Sequence, residues 1–209
     1  MIVTMGRPRE FDEDAVLAAA IDCFWQHGYE ATSVRELACK MGLTGASLYN
    51  AFGDKRALYR RALNYYVQTS FAARAYRLQA TLSAPEAIGA FFTETIERSL
   101  DDKQRRGCLI VNSALEVAPH DPEFRQIVTE VLGHVETFFR RCIRAGQRDG
   151  TITNRHGATE LAQMLLGIHI GMRVLARTRP ERTLLEGMIR PALTLLTPDL
   201  SHAKRKKDD

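Results

Sequence analysis

Between Phe124 and Ile143 the apolar residues fall at Phe124, Ile127, Val128, Val131, Leu132, Val135, Phe138, Phe139, Cys142 and Ile143. Spacings of three and four place all of them on one broad face of a helix, whereas a strand would need alternation at every second position. Asp121 precedes the run as an N-cap and Gly150 follows it as a terminator, so the pattern predicts one long helix to about Asp149. No segment shows sustained apolar/polar alternation. The glycines and prolines sit mostly between periodic runs, and the chain therefore reads as all-α.

The remaining helices follow from the same periodicity. The first runs from about Asp12 to His27, with Asp12, Glu13 and Asp14 at its positive end and Gly28 at its cap. Thr32 or Ser33 starts a second helix, where Ser33-Val34-Arg35-Glu36 has the capping-box pattern and Gly42 closes it. After Leu43-Thr44-Gly45 comes a third, very short helix from Ala46 to Phe52, then a long one from Lys55 to about Leu82. Further helices are expected over about 85–100, 103–117, 156–178 and 180–196. The organisation predicted is a three-helix head over 1–56 and a larger helical body over 57–198. The basic tail 199–209, ending Lys204-Arg205-Lys206-Lys207-Asp208-Asp209, is expected to be disordered.

Two short helices joined by a glycine-containing turn describe a helix-turn-helix, whose second helix enters the DNA major groove. The net charge of +4 permits nucleic-acid binding without demonstrating it. Residues 1–63 carry eight basic and eight acidic side chains, but unevenly. The acids fill the start of the first helix, while the bases lie in the N-terminal arm and around the second and fourth helices. A neutral head is also compatible with a protein-interaction module, so a helical adaptor that binds no DNA is the alternative reading.

Phe24, Gly28-Tyr29, Thr32-Ser33, Val34-Arg35-Glu36-Leu37-Ala38, Gly42, Ser47-Leu48-Tyr49, Phe52 and Lys55 resemble the signature of the TetR/AcrR family of transcription regulators over about 50 residues. The opening Gly6-Arg7-Pro8-Arg9-Glu10-Phe11 is similar to the arm that many members carry. The resemblance implies a double-stranded DNA operator as partner. Thr32, Ser33, Tyr49 and Lys55 are then assigned mainly to phosphates, Thr44, Gly45, Ala46, Ser47 and Asn50 to a close approach to base edges, and Arg7 and Arg9 to a narrow minor groove. Leu37, Leu48 and Phe52 are expected in the core.

In the family the last two helices pair with their copies. That implies a homodimer here, with Leu166, Gly167, Ile170, Gly171, Val174 and Leu193 at the seam; glycines one turn apart also fit close packing within one subunit. Arg105-Arg106-Gly107-Cys108-Leu109 is similar to a subgroup with Gly-Cys-Leu at this point, some members of which sense electrophiles or oxidants through that cysteine. A helix start and two neighbouring arginines are features that favour a thiolate. Cys108 as inert packing is the opposing reading. A noncovalent inducer site built from Phe92, Asn112, Glu116, His134, Phe138, His169 and Arg173 is the competing mechanism. Cys23 and Cys142 fall on apolar faces and are expected in the core.

Other classes are disfavoured. There is no glycine-rich phosphate loop and no G-x-S-x-G, so no catalytic residues are assigned and a helical enzyme is the remotest alternative. The four cysteines lack a C-x-x-C and the six histidines lack an H-x-x-x-H, so no metal and no cofactor is expected. No apolar run approaches the roughly 20 residues of a membrane span. The N-terminus lacks a signal-peptide pattern, and a soluble cytoplasmic protein without a membrane partner is expected.

Overall fold

A computed structural model describes residues 11–198, which form ten α-helices, one five-residue π-helical segment and, among the described residues, no strand. The chain divides into two compact units between Tyr66 and Val67. Arg7, Arg9 and the basic tail lie outside the described residues.

The first unit holds α1 (Glu13–His27), α2 (Val34–Lys40), α3 (Gly45–Phe52) and all but the last residue of α4 (Lys55–Val67). Local chemistry sets each start. Asp12 caps α1 by accepting from the amides of Asp14 and Ala15 at 3.0 and 3.3 Å, and Thr44 caps α3 by accepting from Ser47 at 3.1 Å. The turn between α2 and α3 is a Schellman motif. Gly42 at φ +65° donates to Cys39, and Leu43 donates to the Ala38 carbonyl at 2.9 Å. Only a residue that tolerates the left-handed region fits there, and Gly42 does so without a Cβ penalty. Phe24, Leu37, Leu48, Leu58, Tyr59 and Leu63 fill the core, with Phe24 edge-on to Tyr59 at 4.7 Å between ring centres.

The expected capping box at Ser33 is half formed. Ser33 accepts from the Glu36 amide at 3.1 Å, but the Glu36 carboxylate turns to His27 Nδ1 on α1, 3.0 Å away. A tertiary partner thus takes the place of a local one.

The second unit contains the π-helical segment Gln68–Ala72, α5 (Ala73–Thr81), α6 (Ala84–Asp101), α7 (Leu109–Glu116), α8 (Pro122–Asp149), α9 (Ala158–Thr178) and α10 (Arg182–Leu196). Its core lies chiefly between α6, α8, α9 and α10, and the predicted face of α8 is buried at Phe124, Val128, Val131, Val135, Phe138, Phe139, Cys142 and Ile143. Two sequence expectations fail here. The helix from Lys55 to about Leu82 is interrupted by the π-helical segment, an insertion of wider turns that no proline or glycine announces. The helix expected from Lys103 starts only at Leu109, because Asp102 accepts from the amides of Arg106 and Gly107 at 2.6 and 3.3 Å and folds the intervening residues into a loop. Arg105 and Gly107 take positive φ in that loop, +54° and +75°.

Candidate functional site

On the head, Thr44, Gly45, Ala46, Ser47, Tyr49 and Asn50 are all exposed along α3, while Leu48 and Phe52 turn inward and anchor it. The Thr44 and Ser47 hydroxyls lie 2.9 Å apart at the helix start. Gly45 faces open space, since a Cβ built on it would meet nothing within 4 Å. The result is a short-chained polar ridge with Tyr49 and Asn50 projecting beyond it, the shape a groove-reading helix needs. Exposed Ser33 caps α2. Lys55, half-buried at the start of α4, donates to the Glu30 carbonyl at 3.2 Å with its ammonium 4.5 Å from the centre of the Tyr29 ring.

Thr32 departs from its assignment. It is 1% exposed and its hydroxyl donates to the Gly28 carbonyl at 2.5 Å, which locks the turn between α1 and α2 and leaves the side chain no reach to a phosphate.

In the body, the expected inducer residues separate into three groups. Phe92, Phe138, His169 and Arg173 are buried in one neighbourhood, where His169 lies 5.2 Å from Phe91 and 6.4 Å from Phe92 between ring centres. His169 Nδ1 is buried with no hydrogen-bond partner, and burial, followed by the charges of Arg173 and Arg74, pushes the imidazole down to about 3. It is a neutral histidine at any ordinary pH. Asn112, in the first turn of α7, and Cys108, the residue that precedes that helix, adjoin instead the loop before α7. Asn112 Nδ2 donates to the Arg106 carbonyl at 2.9 Å, and its Oδ1 accepts from Arg177 at 3.3 Å. His134 is exposed on α8, and Glu116 is half-buried at the end of α7; neither joins the aromatic cluster.

Cys108 is the N-cap residue of α7 and is half-buried. Arg106 pairs with Asp102 at 3.2 Å, so the charge of one of its two expected arginine neighbours is already offset by a carboxylate. The preceding residue is held more tightly. Arg173 Nη1 donates to Ser99 Oγ at 2.6 Å and Nη2 donates to the Gly107 carbonyl, which pins the loop to α9. A Cβ at Gly107 would lie 2.8 Å from the Arg177 side chain and 3.2 Å from the Arg173 carbonyl. The backbone beside Cys108 therefore has no slack toward α9.

A groove of about 460 Å³ runs between α6 and α10, floored by Phe92, Ile96, Ile189 and Leu193. Glu97 on its rim receives both terminal nitrogens of Arg182, at 2.6 and 2.8 Å. Of the expected seam residues, Gly167, Ile170, Gly171 and Val174 are at least partly exposed along α9. Leu166 and Leu193 are partly buried, each with one side against the core, and Leu193 also floors the groove. Cys23 and Cys142 are buried, as their apolar faces predict.

Comparison with known proteins decides the family. A model described as bacterial regulatory proteins, tetR family, matches residues 16–62, and one described as tetracyclin repressor-like, C-terminal domain, matches residues 84–191. The chain belongs to the TetR family. It is 33% identical over 196 residues to the uncharacterized HTH-type transcriptional regulator YezE of Bacillus subtilis (strain 168), covering 92% of this chain and 100% of YezE. It is 30% identical over 192 residues to the HTH-type transcriptional repressor ComR of Escherichia coli (strain K12), covering 91% and 90%. Among solved structures, a cysteine mutant of the TetR family regulator CifR complexed with 26-bp double-strand operator DNA is 34% identical, with a TM-score of 0.81 over 91% of this chain and all of that one.

This TetR-family chain is therefore a helix-turn-helix DNA-binding transcriptional regulator with an all-α fold, and none of the described helices is long and apolar enough to cross a membrane. Sequence reasoning missed Ser99, Arg74 and the α6–α10 groove. Ser99 is tied to Arg173 and Arg74 lies 4.0 Å from the centre of the Phe91 ring. Nothing in the spacing of either residue announces a partner so far along the chain.

Proposed function

We propose that this TetR-family regulator is a cytoplasmic homodimeric repressor that reads a two-fold-symmetric operator through α3 and acts by binding rather than catalysis. The exposed polar ridge from Thr44 to Asn50, backed by fully buried Leu48, carries the DNA reading. The operator-bound CifR relative supports it. Two recognition helices must reach successive major grooves, about 34 Å apart, so a pairing surface is needed. The stretch Gly167, Ile170, Gly171 and Val174 suits it, because small residues let a partner helix approach closely.

The signal that releases the operator is, in this reading, a thiol-reactive electrophile at Cys108. A Michael acceptor would form a sulfur–carbon bond there, with the thiol proton ending on the acceptor. The adduct would sit next to Gly107, whose backbone is packed against Arg173 and Arg177 of α9 with no room for a Cβ. In this reading the added bulk displaces that loop against α9, which also carries the pairing stretch. Modification would then favour a dimer whose recognition helices are wrongly spaced, a population shift of the ordinary kind. The groove between α6 and α10 supports a second reading, in which a noncovalent ligand lies over Phe92 and Ile96.

The test is release of the protein from DNA upstream of its own gene as an electrophile is titrated, with Cys108→Ser in parallel. Release of the wild type alone makes Cys108 the sensor. Binding that the electrophile leaves unchanged in both sinks the covalent reading and directs attention to the groove. Failure of the wild type to bind any operator DNA overturns the repressor itself.

A further inference from the structure

Cys23 and His27 lie one helical turn apart on α1, and Glu36 lies on α2. The Cys23 sulfur, a ring nitrogen of His27 and a carboxylate oxygen of Glu36 all fall within 4.8 Å of one another. His27 Nδ1 and Glu36 Oε1 are 3.0 Å apart, and the Cys23 sulfur, buried on the apolar face of α1, lies beside them. We propose that Cys23, His27 and Glu36 form a zinc-binding site that ties α1 to α2 of the helix-turn-helix.

The donor set is the argument for the metal. Thiolate, imidazole and carboxylate are the three protein ligands zinc takes, and bond lengths of about 2.0–2.3 Å put ligand atoms around a tetrahedral ion roughly 3.3–3.7 Å apart. The observed spread closes to that by small rotations of His27 and Glu36, whose side chains are each 35% exposed, toward a Cys23 fixed in the core at 1%. Calcium and magnesium are poorly served by a sulfur and an imidazole. A zinc ion with one thiolate and one carboxylate is charge-neutral, and the open outer side leaves the fourth position to water. Thr32 lies beside the Cys23 thiol, with its one hydroxyl proton given to the Gly28 carbonyl. Burial, and next the Glu36 carboxylate, hold the Cys23 thiol above its ordinary range, so zinc entry has to displace the thiol proton to solvent.

Full-length, reduced, chelator-treated protein titrated with cobalt(II), followed by zinc(II), provides the test. The expected result is a thiolate-to-cobalt charge-transfer band that saturates at one equivalent and is abolished by zinc. His27→Gln and Glu36→Gln, both at the surface, should weaken cobalt binding by about ten-fold or more, and Cys23→Ser should remove the band. No band in the wild type overturns the site. So does a band of unchanged affinity in His27→Gln, which would move the cobalt to another thiol such as Cys39. The readout is spectroscopic and needs no DNA, so it stands apart from the operator and Cys108 experiments.

Discussion

At Gly45 the demands of fold and function point in opposite directions. The backbone there does not take a positive φ and a Cβ would meet nothing, so packing does not require glycine. Alanine would favour the helix by up to about 1 kcal/mol, yet it would thicken the ridge that approaches base edges. Gly45→Ala should leave the melting temperature unchanged or raised while lowering operator affinity by about ten-fold, since one displaced base contact is worth roughly 1–3 kcal/mol. Unchanged affinity in a DNA titration would remove the start of α3 from the contact surface. His169 makes a second prediction at this scale. Its folded-state value near 3 lies below the ordinary 6.5, so the unfolded chain binds the extra proton between those limits. The neutral buried form therefore contributes stability that is complete above about pH 6.5 and is lost as pH falls toward 3, at no more than about 1.4 kcal/mol per pH unit. Between pH 7 and pH 4 the melting temperature of the wild type should fall more steeply than that of His169→Phe. Parallel curves would mean that His169 does not govern the acid limb.

Among the elements, the loop from Asp102 to Gly107 is the one whose form controls a candidate sensor. Its composition, Asp-Lys-Gln-Arg-Arg, reads as good helix, and that is why periodicity extends the following helix back to Lys103. The competing fact is the Asp102 carboxylate, which captures two amides, together with Gly107 at φ +75° against Arg177. Gly107→Ala should cost about 1–3 kcal/mol through backbone strain and crowding, visible as a lower denaturation midpoint. An undisturbed midpoint would show that the loop has slack, and the proposed route from Cys108 to α9 would lose its basis. The Schellman turn at Gly42 is the contrasting case. Glycine, the hydrophobic Leu43 after it and the Thr44 cap are all local signals, and structure and sequence agree there.

For the molecule as a whole, the proposed pairing of two chains is the point to test. Val174 is 42% exposed on α9, one helical turn from half-buried Ile170. Val174→Arg would place a charge in each copy of a two-fold seam, facing its counterpart. Sedimentation should then report a folded monomer, and operator affinity should fall by about a hundred-fold or more as bivalent binding is lost. A variant that remains dimeric would relocate the seam, with exposed Leu195 on α10 as the next surface to alter.

Much of this protein was decided by neighbours a few residues apart. Asp12, Thr44 and Asp121 cap helices because a side-chain oxygen reaches amides two or three positions on, and the α8 stripe needs only its own period. Such interactions are written into adjacency, so the all-α class, the helix-turn-helix and the inward turn of Leu48 and Phe52 were legible without coordinates. Tertiary packing decided the rest. Thr32 has the residue type of a phosphate contact, but its hydroxyl is consumed by the Gly28 carbonyl once α1 and α2 close. Arg173 finds Ser99 across 74 residues, and Glu36 leaves its own capping box for His27. The physical reason is common to all three. A polar group's partner is settled by which helices lie against one another, and helical periodicity specifies the faces that bury without specifying what meets them.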